Sequence, residues 1–371
     1  MLQILAEINY WLLVGFALIR LVITLINYVS KPLLPFAAEK DADFEFVSVL
    51  IPARNEANNI KQVLDSLAEQ EYRFIEVVVL DDGSTDGTFE VANAITSKYF
   101  FWKTVRGLPL PKGWLGKNWA CHQLSKRAVG KYYLFMDADV ILQANAINSA
   151  LQELKKRNLA LLSVFPDQKM GTFGEQTVVP LMHNILLTML PLRAILYSTK
   201  IPEIAAANGQ FMLFDAYKYK QNSWHYWAKN QITEDIEIMK AVKRTGNLGM
   251  SYIANKLVFC RMYSGYKDAI LGFSKNILAG FGGSFFALVV YLWIVIGIYF
   301  WLYFMGYATK LFLPLCIVFV CRAMVSTMSN QSVLKNWLLH PFQISNLALL
   351  AFISIVKNLL KTNSWKGRII S

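Results

Sequence analysis

An α/β domain with a doubly wound sheet, carried between apolar segments long enough to cross a bilayer, is the fold class this sequence predicts. Three observations support it. From Phe46 onward short apolar runs alternate with amphipathic stretches, two of those runs end in aspartates at 81–82 and 137–139, and four longer apolar blocks lie outside this region. Strand–helix alternation of this kind predicts parallel strands joined by right-handed crossovers.

Residues 47–51, VSVLI, have the composition of a buried strand, and 58–70 follow as a helix after polar residues. Residues 75–80 give the next strand, and Asp82 leaves its carboxyl end, where ligands of open α/β sheets bind. A helix over 86–98, a loop-like stretch over 103–116 and a helix over 117–128 lead to the strand 132–136, which delivers Asp137 and Asp139 to the same edge. A helix over 145–157, a strand over 159–164 and a strand over 210–214 come next, and Thr233 opens a helix that runs to Arg244 and stops at Gly246. Residues 173–197 are apolar, but Glu175, Pro180, His183, Pro191 and Arg193 point to a buried or interfacial helix pair rather than a span.

Hydrophobic residues make up 55% of the 371, above the range of an ordinary soluble protein. Residues 10–29 hold a single charge, Arg20, over the roughly 20 residues that a spanning helix needs. A cleaved signal is a poor reading of them, because no basic region precedes and no small-residue cleavage site follows. Three further blocks, near 285–305, 311–328 and 338–356, complete the set. The expected organisation is an anchor (1–31), a Pro- and charge-rich linker (32–45), the α/β domain (46–265), an interfacial amphipathic helix (266–283), C-terminal membrane segments (284–356) and a basic tail (357–371).

The net charge of +12 gathers at the far end, since no acidic residue follows Asp268. Basic residues beside apolar spans mark the cytoplasmic face and anionic headgroups. No nucleic-acid module accompanies them, so nucleic acid is not an expected partner. Cys121, Cys260, Cys316 and Cys321 lack metal or redox spacing.

The carboxylates carry the chemistry. Mg2+ or Mn2+ prefers one or two protein carboxylates completed by phosphate oxygens and water, which suits a D-x-D such as Asp137-Ala138-Asp139. Structural roles stand beside the functional ones: Glu56, Asn58 and Asp86 as capping residues, Glu234 and Asp235 as complements to a helix dipole.

Five stretches, VSVLIPARNEANNI (47–60), DDGSTDGT (81–88), GWLGKNWA (113–120), DAD (137–139) and TEDIEIMKAVKRTG (233–246), resemble glycosyltransferase family 2 in order and spacing. The resemblance covers about 46–265 and implies the GT-A fold and inverting transfer from a nucleotide-sugar. It places Pro52, Arg54 and Glu56 around the nucleotide, Asp82 on the base or ribose, and Lys117 and Asp137 on the donor. Asp139 would hold the metal, and Asp235 would be the general base for the acceptor hydroxyl. GWLGKNWAC, AANGQFMLF (206–214), FCRMYSGYKDAILGFSKN (259–276) and WKGR (365–368) are also similar to membrane glycosyltransferases of carotenoid and hopanoid pathways. The Q-x-x-R-W signature of processive synthases is missing, which favours transfer of a single sugar.

The expectation is therefore a multi-pass plasma-membrane enzyme with its catalytic domain in the cytoplasm. It would use Mg2+ or Mn2+ and a nucleotide-sugar, a UDP-sugar first, and act on a carotenoid, hopanoid or polyprenyl derivative. Polysaccharide or polyprenyl-phosphate transfer, and a non-catalytic membrane scaffold, are the alternatives. The 173–197 segment and the Trp224–Trp227 patch with His225 are candidate acceptor walls. Three crossings after the catalytic domain would leave the basic tail outside, against the positive-inside tendency, so the 338–356 block is a candidate for an interfacial or re-entrant segment. A cytoplasmic tail would let Trp365, Lys366 and Arg368 approach donor phosphates.

Overall fold

The computed structural model describes residues 1–37 and 45–360, together with the backbone of 364–365 and 368–369. Residues 38–44 of the expected linker, and the tail side chains of Trp365, Lys366 and Arg368, lie outside the described residues.

After the long helix α1 (Leu2–Ser30) the chain builds β1 (Val47–Ala53), α2 (Ile60–Ala68), β2 (Ile75–Asp81), α3 (Thr88–Thr96), β3 (Trp102–Arg106), α4 (Gly116–Ser125) and β4 (Tyr132–Met136). Then come β5 (Val140–Leu142), α5 (Ala146–Lys156), β6 (Leu161–Phe165), β7 (Asp167–Gln168), and the short helices α6 (Phe173–Val178), α7 (Pro180–Met189) and α8 (Arg193–Tyr197). The α/β domain closes with β8 (Phe211–Asp215), α9 (Ala216–Asn222), α10 (Trp224–Trp227), α11 (Glu234–Arg244), β9 (Gly249–Ile253) and β10 (Val258–Cys260).

Seven strands form the main sheet in the order β3-β2-β1-β4-β8-β6-β9. All pairings are parallel except those of β8, which runs antiparallel to β4 and β6. The chain steps outward from β1 to β3 and then returns to the other side of β1, so strand order reverses between β1 and β4. That reversal opens a crevice at the carboxyl ends of β1, β2 and β4. Because β8 is reversed, its beginning reaches the same edge, with Met136 opposite Phe211.

Alternation along the strands separates two cores. Val47, Val49, Ile51, Val77 and Val79 face α2, α3 and α5, whereas Leu50, Val78, Leu80 and Phe135 face α4, α9 and α11. The strand β3, in the stretch read as loop from sequence, is a sheet edge. Its residues Lys103, Thr104 and Arg106 are polar because one flank is open to solvent, and that disguises an edge strand.

A second set of helices follows: α12 (Tyr266–Gly280), α13 (Phe285–Leu292) continuing through a π-turn at Trp293–Gly297 into α14 (Ile298–Phe304), α15 (Phe312–Met328), α16 (Val333–Leu338) and α17 (His340–Leu359). Among the described residues four helical segments are long and apolar enough to cross a bilayer: Leu2–Ser30, Phe285–Phe304, Ala308–Met328 and His340–Leu359. The apolar 173–197 region is broken by its prolines into α6, α7 and α8, with Pro180 in the first turn of α7.

The membrane helices are fastened to the α/β domain by hydrogen bonds rather than tethered. Asn27 donates to the carbonyls of Leu187 (2.9 Å) and Leu190 (2.8 Å) and accepts from the Leu192 amide (2.9 Å). The chain leaving α1 then adds to the sheet edge: Leu34 N donates to Ile253 O at 2.9 Å, and Ile253 N to Pro32 O at 2.8 Å. At the other end, Asn330 after α15 donates to Asp167 Oδ2 at 2.9 Å. Burial pushes the Asp167 carboxyl upward, against the opposing bonds from Asn330 and the Lys256 amide.

Replacing Asn27 with Leu leaves two buried carbonyls and one amide without this partner. The loss of three hydrogen bonds predicts destabilisation by about 2–4 kcal/mol, read as a lower Tm of the detergent-solubilised protein.

Candidate active site

The crevice is built from loops that leave parallel strands. After β1, Asn55 takes a left-handed conformation (φ 53°), and after β2, Gly83 does the same (φ 69°), so the two chains turn against each other. They are stitched together closely. Asn55 N donates to Ser84 Oγ (2.9 Å), Thr85 N to Asn55 Oδ1 (2.9 Å), Glu56 N to Thr88 Oγ1 (2.8 Å) and Ala57 N to Asp86 Oδ2 (3.1 Å). Arg54 Nη1 donates to the carbonyls of Asp82 (2.5 Å) and Gly83 (3.3 Å), while the amide of the buried Asp82 donates to Ala53 O at 2.8 Å. Pro52, Arg54, Glu56 and Asp82 therefore sit on one paired-loop cradle. Asp86 is part of it too, bonding the Thr88 amide at 3.1 Å in a helix-starting turn.

A second group gathers where β4 ends and β8 begins. The Lys117 ammonium, in the first turn of α4, lies 2.8 Å from Asp137 Oδ1, 3.0 Å from Asp137 Oδ2, 3.2 Å from Glu234 Oε1 and 3.5 Å from Gly209 O. Burial would lower the pKa of this lysine, but Asp137 and then Glu234 overcome it and hold the ammonium well above its ordinary value. Asp235 stands beside it at the start of α11. Its Oδ2 accepts from the Gly209 amide (3.0 Å) and its Oδ1 from the Ile236 amide (2.8 Å). Burial, reinforced by the neighbouring Glu234 carboxylate, raises the Asp235 carboxyl to about 7, although Lys117 and the two amides oppose the shift. A half-buried aspartate titrating near neutrality has the property that general bases require.

Asp139 faces a different shell. The Cys260 thiol hydrogen-bonds it and also accepts from Gln210 Nε2 at 2.8 Å, and burial followed by the charges of Asp139 and Asp137 pushes that thiol's pKa well up. Cys260 is thus a protonated packing partner, consistent with its lack of redox spacing. All four cysteines are free thiols. Among the described residues no group of three His, Cys, Asp or Glu side chains forms a closed metal cage. Two carboxylates two residues apart, Asp137 and Asp139 just past the end of β4, fit instead a hard cation that takes its remaining ligands from phosphate and water.

The expected residues thus fall into two clusters on one sheet edge. Pro52, Arg54, Glu56 and Asp82 occupy the β1–β2 side; Lys117, Asp137, Asp139 and Asp235 occupy the β4–β8 side. Two residues without an assigned role complete the second cluster: Glu234, which shares Lys117, and Gly209, whose amide holds Asp235. A Cβ on Gly209 would stand 2.9 Å from Lys117 Nζ and 3.1 Å from Glu234 Oε1, so any larger residue would push the ends of these two side chains aside. Its sequence signal was the N-G-Q ahead of β8. The aromatic patch divides. Trp224 and His225 are buried, the latter with its Nδ1 2.8 Å from the Tyr219 hydroxyl and its pKa lowered by burial to about 3, so both belong to the core. Tyr226 and Trp227 are exposed, and Tyr226 joins Trp114 and His122 in a surface cluster beside α4.

A mixed sheet with one reversed strand, a D-A-D at the end of its central strand and a paired-loop cradle beside the switch point are the features of the GT-A fold. Residues 48–215 match the family model described as glycosyl transferase family 2. It is 26% identical over 280 residues to the 4,4'-diaponeurosporenoate glycosyltransferase of Staphylococcus haemolyticus, covering 72% of this chain and 71% of that protein. The Staphylococcus aureus protein of the same name is 28% identical over 250 residues, with 64% of this chain and 62% of that protein covered. Chondroitin synthase of Pasteurella multocida is 33% identical over 136 residues, but these are only 36% of this chain and 14% of the synthase. In fold, the chain is similar to a mannosyltransferase from Pyrobaculum calidifontis, solved in complex with GDP-Man and Mn2+. The TM-score is 0.59 at 16% identity, with 98% of this chain and 100% of that one covered.

Gly209→Ala should displace Lys117 and Glu234 without disturbing the core. Sugar transfer is expected to fall about tenfold, near 1.4 kcal/mol in the barrier, with Tm almost unchanged; transfer at the wild-type rate would show that the close approach is idle.

Proposed function

We propose that this protein is a membrane-bound, metal-dependent, inverting glycosyltransferase that moves a single sugar from a nucleotide-sugar, a UDP-sugar first, to the hydroxyl of a lipid-like acceptor. The observation that carries the reading is the Asp235 carboxylate, anchored by the Gly209 amide and raised toward neutrality, beside Lys117 and the D-A-D carboxylates. Similarity to proteins named for a carotenoid acid supports an apolar acceptor, and the four long apolar helices support delivery from a bilayer. The mannosyltransferase of like fold was solved with a nucleotide-sugar and Mn2+, which supports that donor class and a divalent cation.

Asp235 removes the acceptor proton as the hydroxyl oxygen attacks the anomeric carbon, and the bond from that carbon to the diphosphate breaks on the opposite face. The nucleoside diphosphate leaves. Asp82 and Arg54, through the paired loops, hold the nucleoside. Mg2+ or Mn2+, held by Asp139 with Asp137 beside it, would offset charge on the diphosphate. Lys117 keeps Asp137 and Glu234 in place and adds a positive charge on the donor side.

The catalytic domain faces the cytoplasm, where nucleotide-sugars are made, and the chain lies in the plasma membrane. Of the three C-terminal apolar helices, α17 has the lowest mean hydropathy, 1.4, and it lies along α12. Tyr266 OH donates to Asn346 Oδ1 at 2.7 Å near the start of both helices, and Lys357 lies 3.4 Å from Ser274 Oγ further along both. Asn346 and Gln343 also donate to the carbonyls of Thr177 and Gln176 in α6, at 3.0 and 2.9 Å. On this reading α12 and α17 share the interface, α13–α14 and α15 cross, and the basic tail stays on the cytoplasmic side as charge distribution favours.

Membranes carrying the protein, incubated with a panel of labelled nucleotide-sugars, Mn2+ or Mg2+ and lipid extract, should label a lipid of low mass. Asp235→Asn should slow transfer about 10²–10⁴-fold, and Asp139→Ala should abolish the metal dependence together with most activity. Normal transfer by Asp235→Asn would sink the base assignment, and label in a long polymer would sink single transfer. Because only the ionised base works, the rate should rise with pH through about 7. Glu234→Gln removes the like charge that raises Asp235, so the rising limb of the pH profile should move to lower pH.

A further inference from the structure

Outside the crevice the structure holds a second site-like feature, inside the helical bundle. A cavity of about 420 Å³ lies between α1, α7, α13–α14, α15 and the first turns of α17. It has direction. The helices α1 and α15 approach the α/β domain as they run forward, and α13–α14 runs away from it. Arg20, Asn184, Tyr291 and His340 therefore mark the end near the domain, while Leu13, Tyr303 and Leu311 mark the far end. Along α1 the rise from Leu13 to Arg20 is about 10 Å, and along α13–α14 the rise from Tyr291 to Tyr303 is about 18 Å. The far part is lined almost wholly by apolar and aromatic side chains.

The near end is polar and positively charged. Arg20 is 7% exposed, and both its Nε and Nη2 rest on one hydroxyl, Thr188 Oγ1, at 3.1 and 3.0 Å. Among the described residues Arg20 makes no ion pair. Asn184, which lines the same end and is 8% exposed, has an Oδ1 with no partner, and so has His340 Nδ1. The helices from α13 onward supply no carboxylate, because no acidic residue follows Asp268. A buried guanidinium without a carboxylate is costly in an apolar bundle, and its cost is offset when an anion arrives.

We propose that this cavity binds an amphiphile with one apolar chain and an acidic head, the chain in the Leu13–Tyr303 part and the head on Arg20. The volume admits roughly fourteen groups of the size of a water molecule, about 30 Å³ each, which is a long single chain rather than a paired one. Phe16, whose ring lies 5.9 Å from the Arg20 guanidinium carbon, closes the side of the head site. A bilayer phospholipid that inserts one chain and an apolar carboxylic acid share this chemistry.

The test uses full-length protein in phosphatidylcholine nanodiscs and a photoreactive stearic acid, with no nucleotide-sugar present, so the result is independent of transfer activity. Labelling is expected on α1 and α13–α14, at least tenfold stronger than with the matching neutral alcohol. Arg20→Gln should reduce it at least tenfold, Arg20→Lys should retain most of it, and Leu315→Trp, which fills the cavity but leaves the arginine, should also reduce it. Competition by phosphatidylglycerol assigns the head to a lipid phosphate, and competition by an unlabelled apolar acid assigns it to a carboxylate; either outcome supports the site. Equal labelling by the neutral alcohol, undiminished labelling of Arg20→Gln, or label confined to helices that do not line the cavity would overturn it.

Discussion

The arrangement of the crevice depends on one cation, Lys117. Three carboxylates, Asp137, Glu234 and Asp235, come from two separate elements, and without a positive charge among them they would repel one another across a partly dry edge. Lys117 pairs with Asp137 and Glu234 directly and so joins the end of β4 to the start of α11. Asp235 is left outside the ion pairs and receives only backbone amides. This unequal sharing separates the acids: the ammonium holds Asp137 and Glu234, whereas burial and then the adjacent Glu234 raise the Asp235 carboxyl toward neutrality, where it can accept a proton.

The reversed strand β8 makes that geometry available. In an all-parallel sheet the beginning of the neighbouring strand would lie at the opposite edge, some strand length away from Asp137. Running β8 backward brings Gly209 and Gln210 beside the D-A-D, where Asp137 N donates to Gln210 O at 3.2 Å. Gly209 then serves both groups, its amide on Asp235 and its carbonyl near Lys117. The small residue and the reversed strand act together.

A second constraint ties the domain to its bundle. Asn27, the bridge between Leu33 and Ile253, and the Asn330–Asp167 bond fix the helices against the sheet at three separate places. Met328 and Val325 of α15 also pack into the core that carries α4 and α11. The crevice and the cavity of the bundle are consequently parts of one body, and polar side chains of the bundle such as Gln343 and Asn346 serve as connectors to α6.

Much of this was legible in the chain itself. Strands 75–80 and 132–136, the helix starting at Thr233 and the four apolar segments follow from periodicity and length, because strand and span signals are local and strong. The same holds for the aspartates, since a carboxylate at the end of a buried strand has few places to go. What the sequence could not decide was contact between distant segments. Whether Trp224 to Trp227 formed a wall or a core depended on which side of α10 met the sheet, and the packing sent Trp224 and His225 inward and Tyr226 and Trp227 outward. The roles of Glu234 and Gly209, the edge strand β3 and the alignment of α17 with α12 were likewise set by tertiary structure. Sequence by itself determined which residues carry charge and where the chain turns apolar; only folding decided which charges meet, because electrostatic and hydrogen-bond energies depend on distances that periodicity does not contain.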